Sequence, residues 1–404
     1  MTLERKPRLG PDTAHQRGQT ALIAVLLLIV GAGAFLYTLA TPGKISIEND
    51  KKTAAALAQA REALIGRAAA DATRPGSLPC PDIDGDGAAE SPVAYGGVCP
   101  SYIGRFPWKT LGAQELRDGG GERLWYALTP SFRDHATGGV LNSDTLGQLT
   151  ITGTAPAGSV IAIIFAPGAV VSSQVRDTAN QNNVANYLEG GNDTGITTNT
   201  FVTGLATSTF NDKLLAITSD ALFSVVGMRV AREARTFLTE YFNANGYYPF
   251  AATYTDPTYG CTPGVTSGRI PSPAPLLGLI SATCVGLADW LGLAQPPAWF
   301  ATNNWHHVTH YAVAPACVFP ISNLITPCPA GGLLTVQNLP APNNNKRALV
   351  IVTGRALSGQ SRPCSGPADC LEDPGNTDGG DTDTVFVKPV LAPANNDRLV
   401  VVSP

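Results

Sequence analysis

The sequence predicts an α+β protein: an apolar N-terminal helix, then two tandem units, each a helix packed on an antiparallel sheet. Three observations carry this. Thr20 to Ala40 contains no charged residue. Helix-period stretches at 51–72 and 223–241 are each followed by Pro/Gly-rich loops and short β-type runs. Segments of the first half recur in the same order in the second, about 185 residues later. The organisation that follows is a basic leader (1–18), an anchor helix and linker (19–49), a first unit (50–220) and a second (221–404).

The anchor comes first. About twenty residues rising ~1.5 Å each span the ~30 Å hydrocarbon core of a bilayer. Arg5, Lys6, Arg8 and Arg17 precede the run, and Lys44 is the base that follows it most closely. The positive-inside bias keeps the N-terminus cytoplasmic and exports the rest. A cleaved secretory signal peptide competes with this reading. Its apolar core is normally shorter, and no A-x-A-like site closes the run here.

Each unit then opens with a helix. In the first, Leu57, Leu64 and Ile65 share one stripe of an Ala-rich stretch from Lys51 to Ala72. In the second, Phe223, Val226, Val230, Ala234, Phe237 and Tyr241 recur at steps of three and four. Asn245-Gly246 supplies the left-handed stop, and Pro249 forbids continuation. Strands are expected at 149–152, 160–165, 334–337, 348–352 and 399–402. Their continuous apolar character suits central strands.

The duplication is specific. Asn211-Asp-Lys-Leu-Leu-Ala-Ile217 matches Asn396-Asp-Arg-Leu-Val-Val-Val402, and Phe201-Val202 matches Phe386-Val387. The run ending at Arg176 matches the run ending at Arg362, and Tyr187-Leu-Glu-Gly190 matches Cys370-Leu-Glu-Asp373. Trp125-Tyr-Ala-Leu-Thr-Pro130 aligns with His310-Tyr-Ala-Val-Ala-Pro315, and the couple Cys80/Cys99 is set against Cys261/Cys284.

Composition excludes several classes. Charged residues are 14% of the 404, against ~25% in an average soluble protein. Lys and Arg total 27 against 31 acids, and no basic run exists, which argues against nucleic acid. With 44% hydrophobic residues, 42 Gly and 32 Pro, the chain is folded and loop-rich. Its eight cysteines fall into neighbouring couples: Cys80/Cys99, Cys261/Cys284, Cys317/Cys328 and Cys364/Cys370. No C-x-x-C or Cys/His ligand spacing points to zinc. An even count beyond an anchor fits disulfides in an oxidising compartment; spacing leaves the connectivity open, with neighbour pairing the simplest arrangement.

The order of parts resembles type IV pilins and type II secretion pseudopilins. Leu238-Thr-Glu-Tyr241-Phe-Asn-Ala-Asn245-Gly246-Tyr-Tyr248-Pro249 is similar to the helix-exit motif of pseudopilins. Stretches 74–82, 104–112 and 122–127 resemble large prepilin-like bacterial proteins. The resemblance implies a prepilin-peptidase cut after Gly18, with Gln19 as the mature N-terminus. Gln19 and Ile23 stand where major pilins carry an aromatic residue and a Glu. A carboxylate in lipid costs a few kcal/mol unless it has a partner, so Ile23 suits a minor, tip-located subunit. The implied protein is a single-pass bacterial inner-membrane subunit of a pilus or secretion-like filament, with its heads periplasmic or on an extracellular filament. Its implied partners are other pilin subunits, through the anchor helix, and prepilin peptidase. The alternative is a tethered surface adhesin or ligand-binding protein.

Among chemical motifs, Asp82-Ile-Asp84-Gly-Asp86-Gly87 is the sharpest. Alternate carboxylates with a sixth-position Gly can converge on calcium, which takes six to eight oxygens. The twelfth position is Val93, so this is no EF-hand, and Glu90, a backbone carbonyl or a remote residue would complete the shell. A solvated acidic turn is the competing reading. In Asp373-Pro-Gly-Asn-Thr-Asp378-Gly-Gly-Asp381-Thr-Asp383 a plain acidic loop fits at least as well as a metal site. A helix would put His306 and His310 on one face, beside Trp299 and Trp305, but without H-E-x-x-H a structural role is preferred. No nucleophile elbow, P-loop or dinucleotide fingerprint is present, and no enzyme is predicted.

Overall fold

The computed structural model describes residues 46–256, 260–271, 296–318, 328 and 332–403. Gly18, Gln19, the run Thr20–Ala40 and Cys284 lie outside the described residues, within which no helix is long and apolar enough to cross a membrane.

Helix α1 (46–70) is exposed over 46–52, touching the protein there through Asp50, which pairs with Lys213, and Asn49, which lies against Gly119, and is first buried at Thr53. Ala56, Leu57, Ala60, Leu64, Ile65 and Ala68 are then buried, one stripe at steps of three and four. Arg229 closes its end by donating to the Ala69 carbonyl at 2.6 Å, one of the orphan acceptors every helix leaves.

Six strands follow: β1 (Ile103–Arg105), β2 (Trp125–Leu128), β3 (Leu149–Gly153), β4 (Ala157–Ala166), β5 (Thr200–Thr203, after the one-turn α2, Gly195–Thr198) and β6 (Lys213–Thr218). They form one sheet in the order β1-β2-β4-β3-β5, with β6 also paired to β4. Alternation along β2 and β4 sends Tyr126, Leu128, Ala162 and Ile164 into the core shared with α1. The other face, with Trp125, Ala127, Ile163 and Phe165, packs on Phe201 and Tyr187.

Helix α3 (Ser219–Asn245) starts where Thr218 Oγ1 accepts from the Ala221 N–H at 3.3 Å. All six residues of the expected stripe, Phe223 to Tyr241, are buried. Gly246 ends it at φ +77°, with its N–H on the Phe242 carbonyl. Then come β7 (Ser267–Arg269), the short α4 (Ala298–Thr302), β8 (Thr309–Val313), β9 (Thr335–Gln337), β10 (Ala348–Val352), β11 (Val385–Val387) and β12 (Arg398–Ser403). A second sheet runs β12-β10-β8-β7, all antiparallel, and β9 and β11 form a separate pair.

Every expected strand segment is a strand, and the architecture is mixed α+β. The sheets are not purely antiparallel, however: β3 pairs parallel with β5, and β9 with β11. Long crossovers through 154–199 and 338–384 bring β5 and β11 back in the same sense as their partners, as parallel pairing requires.

Disulfides join Cys80–Cys99, Cys317–Cys328 and Cys364–Cys370, the neighbour pairing expected. The fourth couple includes Cys284, outside the described residues. The expected match of Cys80 with Cys261 does not hold. The Leu78 N–H donates to Phe132 O and the Tyr248 N–H to Cys317 O. Asp82 exchanges both backbone bonds with Arg105, and Ala252 does so with Arg269. That register sets Cys80 against Phe250 and the acidic Asp82 against Ala252.

The two sheets share α3, which packs on β4 and β6 and also on β10 and β12. Phe223 touches Phe132 on one side and Trp305 on the other, with ring centroids 6.1 Å away in each case. Asn142 Nδ2 donates to Asn303 O at 2.9 Å, and Arg362 pairs with Asp144 at 2.7 Å.

Candidate functional site: an acidic turn and two buried carboxylate pairs

The acidic turn is held from below. Gly104 lies so close to the Asp82 carbonyl that a side chain there would collide with it. Next to it, Arg105 is buried between the rings of Trp125 and Tyr187, 4.2 and 4.0 Å from their centroids. Its guanidinium donates to the carbonyls of Gln181 and Arg123. Burial lowers its pKa to about 10, so it stays charged. Asn182 Nδ2 then donates to Asp84 O at 2.6 Å, and Arg123 to Gly85 O at 2.7 Å.

Within the turn, Asp82 is buried and accepts from the N–H groups of Gly85 (2.6 Å) and Gly87 (2.8 Å). Gly85 and Gly87 stand at φ +81° and +90°, which side chains rarely adopt. Asp84 Oδ1 accepts from Asp86 N, and Asp86 Oδ1 from Ala88 N. One oxygen from each of Asp82, Asp84 and Asp86 lies within 4.8 Å of the others, with Asp84 and Asp86 exposed. Burial raises the Asp82 pKa, and the neighbouring Asp84 and Asp86 raise it further. Glu90 takes the Ile83 N–H at 3.4 Å but does not join the converging trio. Three carboxylates against backbone dipoles suit a hard cation, and they also satisfy the turn's own N–H groups.

The second acidic run does not converge. Asp373 caps Gly375 N, Asp383 takes Val385 N, and Asp82–Asp84–Asp86 is the only three-residue ligand group among the described residues. Nor do the histidines share a helix face. Trp305–Val308 is one 3-10 turn, and His310 sits on the buried strand β8. Its Nδ1 meets Tyr254 Oη at 2.7 Å and its Nε2 meets Ser267 Oγ at 3.3 Å, a structural role. The fully buried strand β8 overrides the helical spacing.

Two polar clusters were not anticipated as sites. In the first, Glu189 Oε1 accepts from Gln174 Nε2 (2.5 Å) and Oε2 from Asn211 N (3.0 Å). Asp212 Oδ2 accepts from Glu189 N (2.8 Å) and Asn192 Nδ2 (2.9 Å). In the second, Glu372 Oε1 accepts from Gln360 Nε2 (3.1 Å), Oε2 from Asn396 N (3.1 Å), and Asp397 Oδ2 from Glu372 N (3.2 Å). Asn192 and Asn376 each bond both backbone groups of one strand residue, Val202 on β5 and Val387 on β11. The signal was in the repeats, whose matched segments contain each of these acids.

No family model matches the chain, and neither does any curated protein or solved structure.

Proposed function

We propose that the chain is a membrane-anchored minor pilin- or pseudopilin-like subunit that acts by assembly, with two tandem modules as its head. The observation that carries this is the start of α1. Residues 46–52 are exposed at the rim of the head, where Asp50 pairs with Lys213 and Asn49 lies against Gly119, and the uncharged run Thr20–Ala40 precedes them closely in sequence. A helix whose first two turns leave a folded head largely exposed is suited to pack among helices of other subunits. The modules are supported by the common strand plan: β2, β4, β6 with β1 at the edge, and β8, β10, β12 with β7 at the edge. The parallel pairs β3/β5 and β9/β11 extend the match. No catalytic role is assigned, and calcium at Asp82, Asp84 and Asp86 would stiffen the head beside Cys80–Cys99.

Intact mass of the purified protein tests the anchor: a terminus at Gln19 is expected, whereas an uncut Met1 or a cut near residue 40 overturns it. Immunogold labelling at filament tips fits the minor-subunit role. Labelling spread over the cell surface without filaments would favour the tethered adhesin.

A further inference from the structure

We propose that each carboxylate pair holds one shared proton, carried by Asp212 and by Asp397 and donated to Glu189 and Glu372, so that two protons lock the head and alkaline pH releases them. Asp212 and Asp397 are 4% and 1% exposed. Their Oδ1 atoms are buried with no partner in hydrogen-bond geometry, although the Gly354 N–H also acts on the Asp397 carboxyl. The other three oxygens of each pair already accept N–H groups, as given above. In both pairs the two carboxyls are also in contact with each other.

Two ionised carboxylates in contact inside a protein repel strongly, and one proton between them replaces that repulsion with a charge-assisted hydrogen bond. A metal ion would have to displace the N–H donors that already occupy those oxygens. The surrounding charges do not remove the need for the proton. Around the first pair, Arg176 lies 3.8 Å from Glu189 and is shared with Glu122 at 3.4 Å, while Lys213 pairs with Asp50. Around the second, Arg362 acts on Glu372 but is bonded to Asp144, Arg355 pairs with Asp220, and Tyr254 and Arg398 adjoin Asp397 in space and in sequence. The same device therefore occurs twice, on matched residues.

Burial, then the neighbouring glutamate, pushes Asp212 up to about 8 and Asp397 well above its usual range. A raised carboxyl pKa gives stability that is complete below the unfolded value of ~4 and is lost as pH rises through the folded value. Losing the proton would loosen the turn from Glu189 to Asn192, which holds β5, and its counterpart on β11.

The test is guanidinium unfolding of the full chain in detergent between pH 7.5 and 8.5, where histidines are mostly neutral both folded and unfolded. The unfolding constant is expected to rise up to about tenfold per pH unit for each pair. Asp212→Asn and Asp397→Asn place an amide N–H where the acid O–H stood. The double variant should keep wild-type stability at pH 7 and lose the slope. Infrared spectra of the unmodified protein at pH 7 should show a protonated carboxyl band that weakens with each substitution. A missing band, a flat profile in the unmodified protein, or a wild-type slope in a folded double variant overturns the proposal. If the variants fail to fold, the band and slope of the unmodified protein decide.

Discussion

Tyr126 and Tyr311 make the same bond from the middle of two different sheets. Each is wholly buried, and each hydroxyl donates to the carbonyl of a proline, Pro79 at 3.3 Å and Pro249 at 3.0 Å. The bond ties the segment after a helix, α1 or α3, to the strand beside the central one. Removing the hydroxyl leaves a carbonyl in the core short of its donor. Tyr126→Phe and Tyr311→Phe are therefore each expected to lose about 1 kcal/mol in denaturant unfolding, by similar amounts.

Calcium at the acidic turn has a separate signature. Asp84 is exposed, and its Oδ1 serves one backbone N–H. Asp84→Ala should lower the melting temperature in calcium and leave it little changed in chelator. Equal melting of the unmodified protein with and without calcium would remove the site.

Gly246 ends α3 at φ +77°, with open space around it. Gly246→Ala meets no clash, so its cost is conformational, about 1 kcal/mol. Denaturant midpoints measure it, and a neutral result would mean that the helix end shifts to another residue.

Acid acts in the opposite direction to the carboxylate pairs. Burial, reinforced by Arg269 at His306 and His307, holds His306 at about 3, His307 at about 4 and His310 at about 3. The folded protein keeps them neutral while the unfolded chain protonates below ~6.5, so stability falls as pH drops from there. Unfolding midpoints at pH 6.5 and 5.0 should differ less in His310→Gln than in the unmodified protein.

Much of the fold is legible in residue order. The stripe from Phe223 to Tyr241, the Asn245-Gly246 stop and the apolar run at 160–165 are local signals, and local signals survive packing. The parallel pairing of β3 with β5 was invisible, because it depends on where a long crossover returns the chain. His310 shows two signals in conflict. Helical spacing tied it to His306, whereas the fold places it, like its repeat counterpart Trp125, on a strand. The buried acids were readable only in part. The repeats preserve Glu189 with Glu372 and Asp212 with Asp397, but nothing in sequence brings residues 23 or 25 apart into contact. The acidic turn was found because its residues are neighbours, and Glu90 stays outside the trio because the turn spends its geometry on its own N–H groups.

Helix α3 also sets an order of events. The chain completes β6 at Thr218 before any of α3 exists, so the first sheet leaves the ribosome with part of its core uncovered. Twenty-seven more residues supply the helix that covers it, and the opposite side of that helix is closed by β10 and β12, much later in the sequence. The packing around α3 is complete only once β12 has joined it. A truncation as small as the last strand would therefore be felt on both sheets.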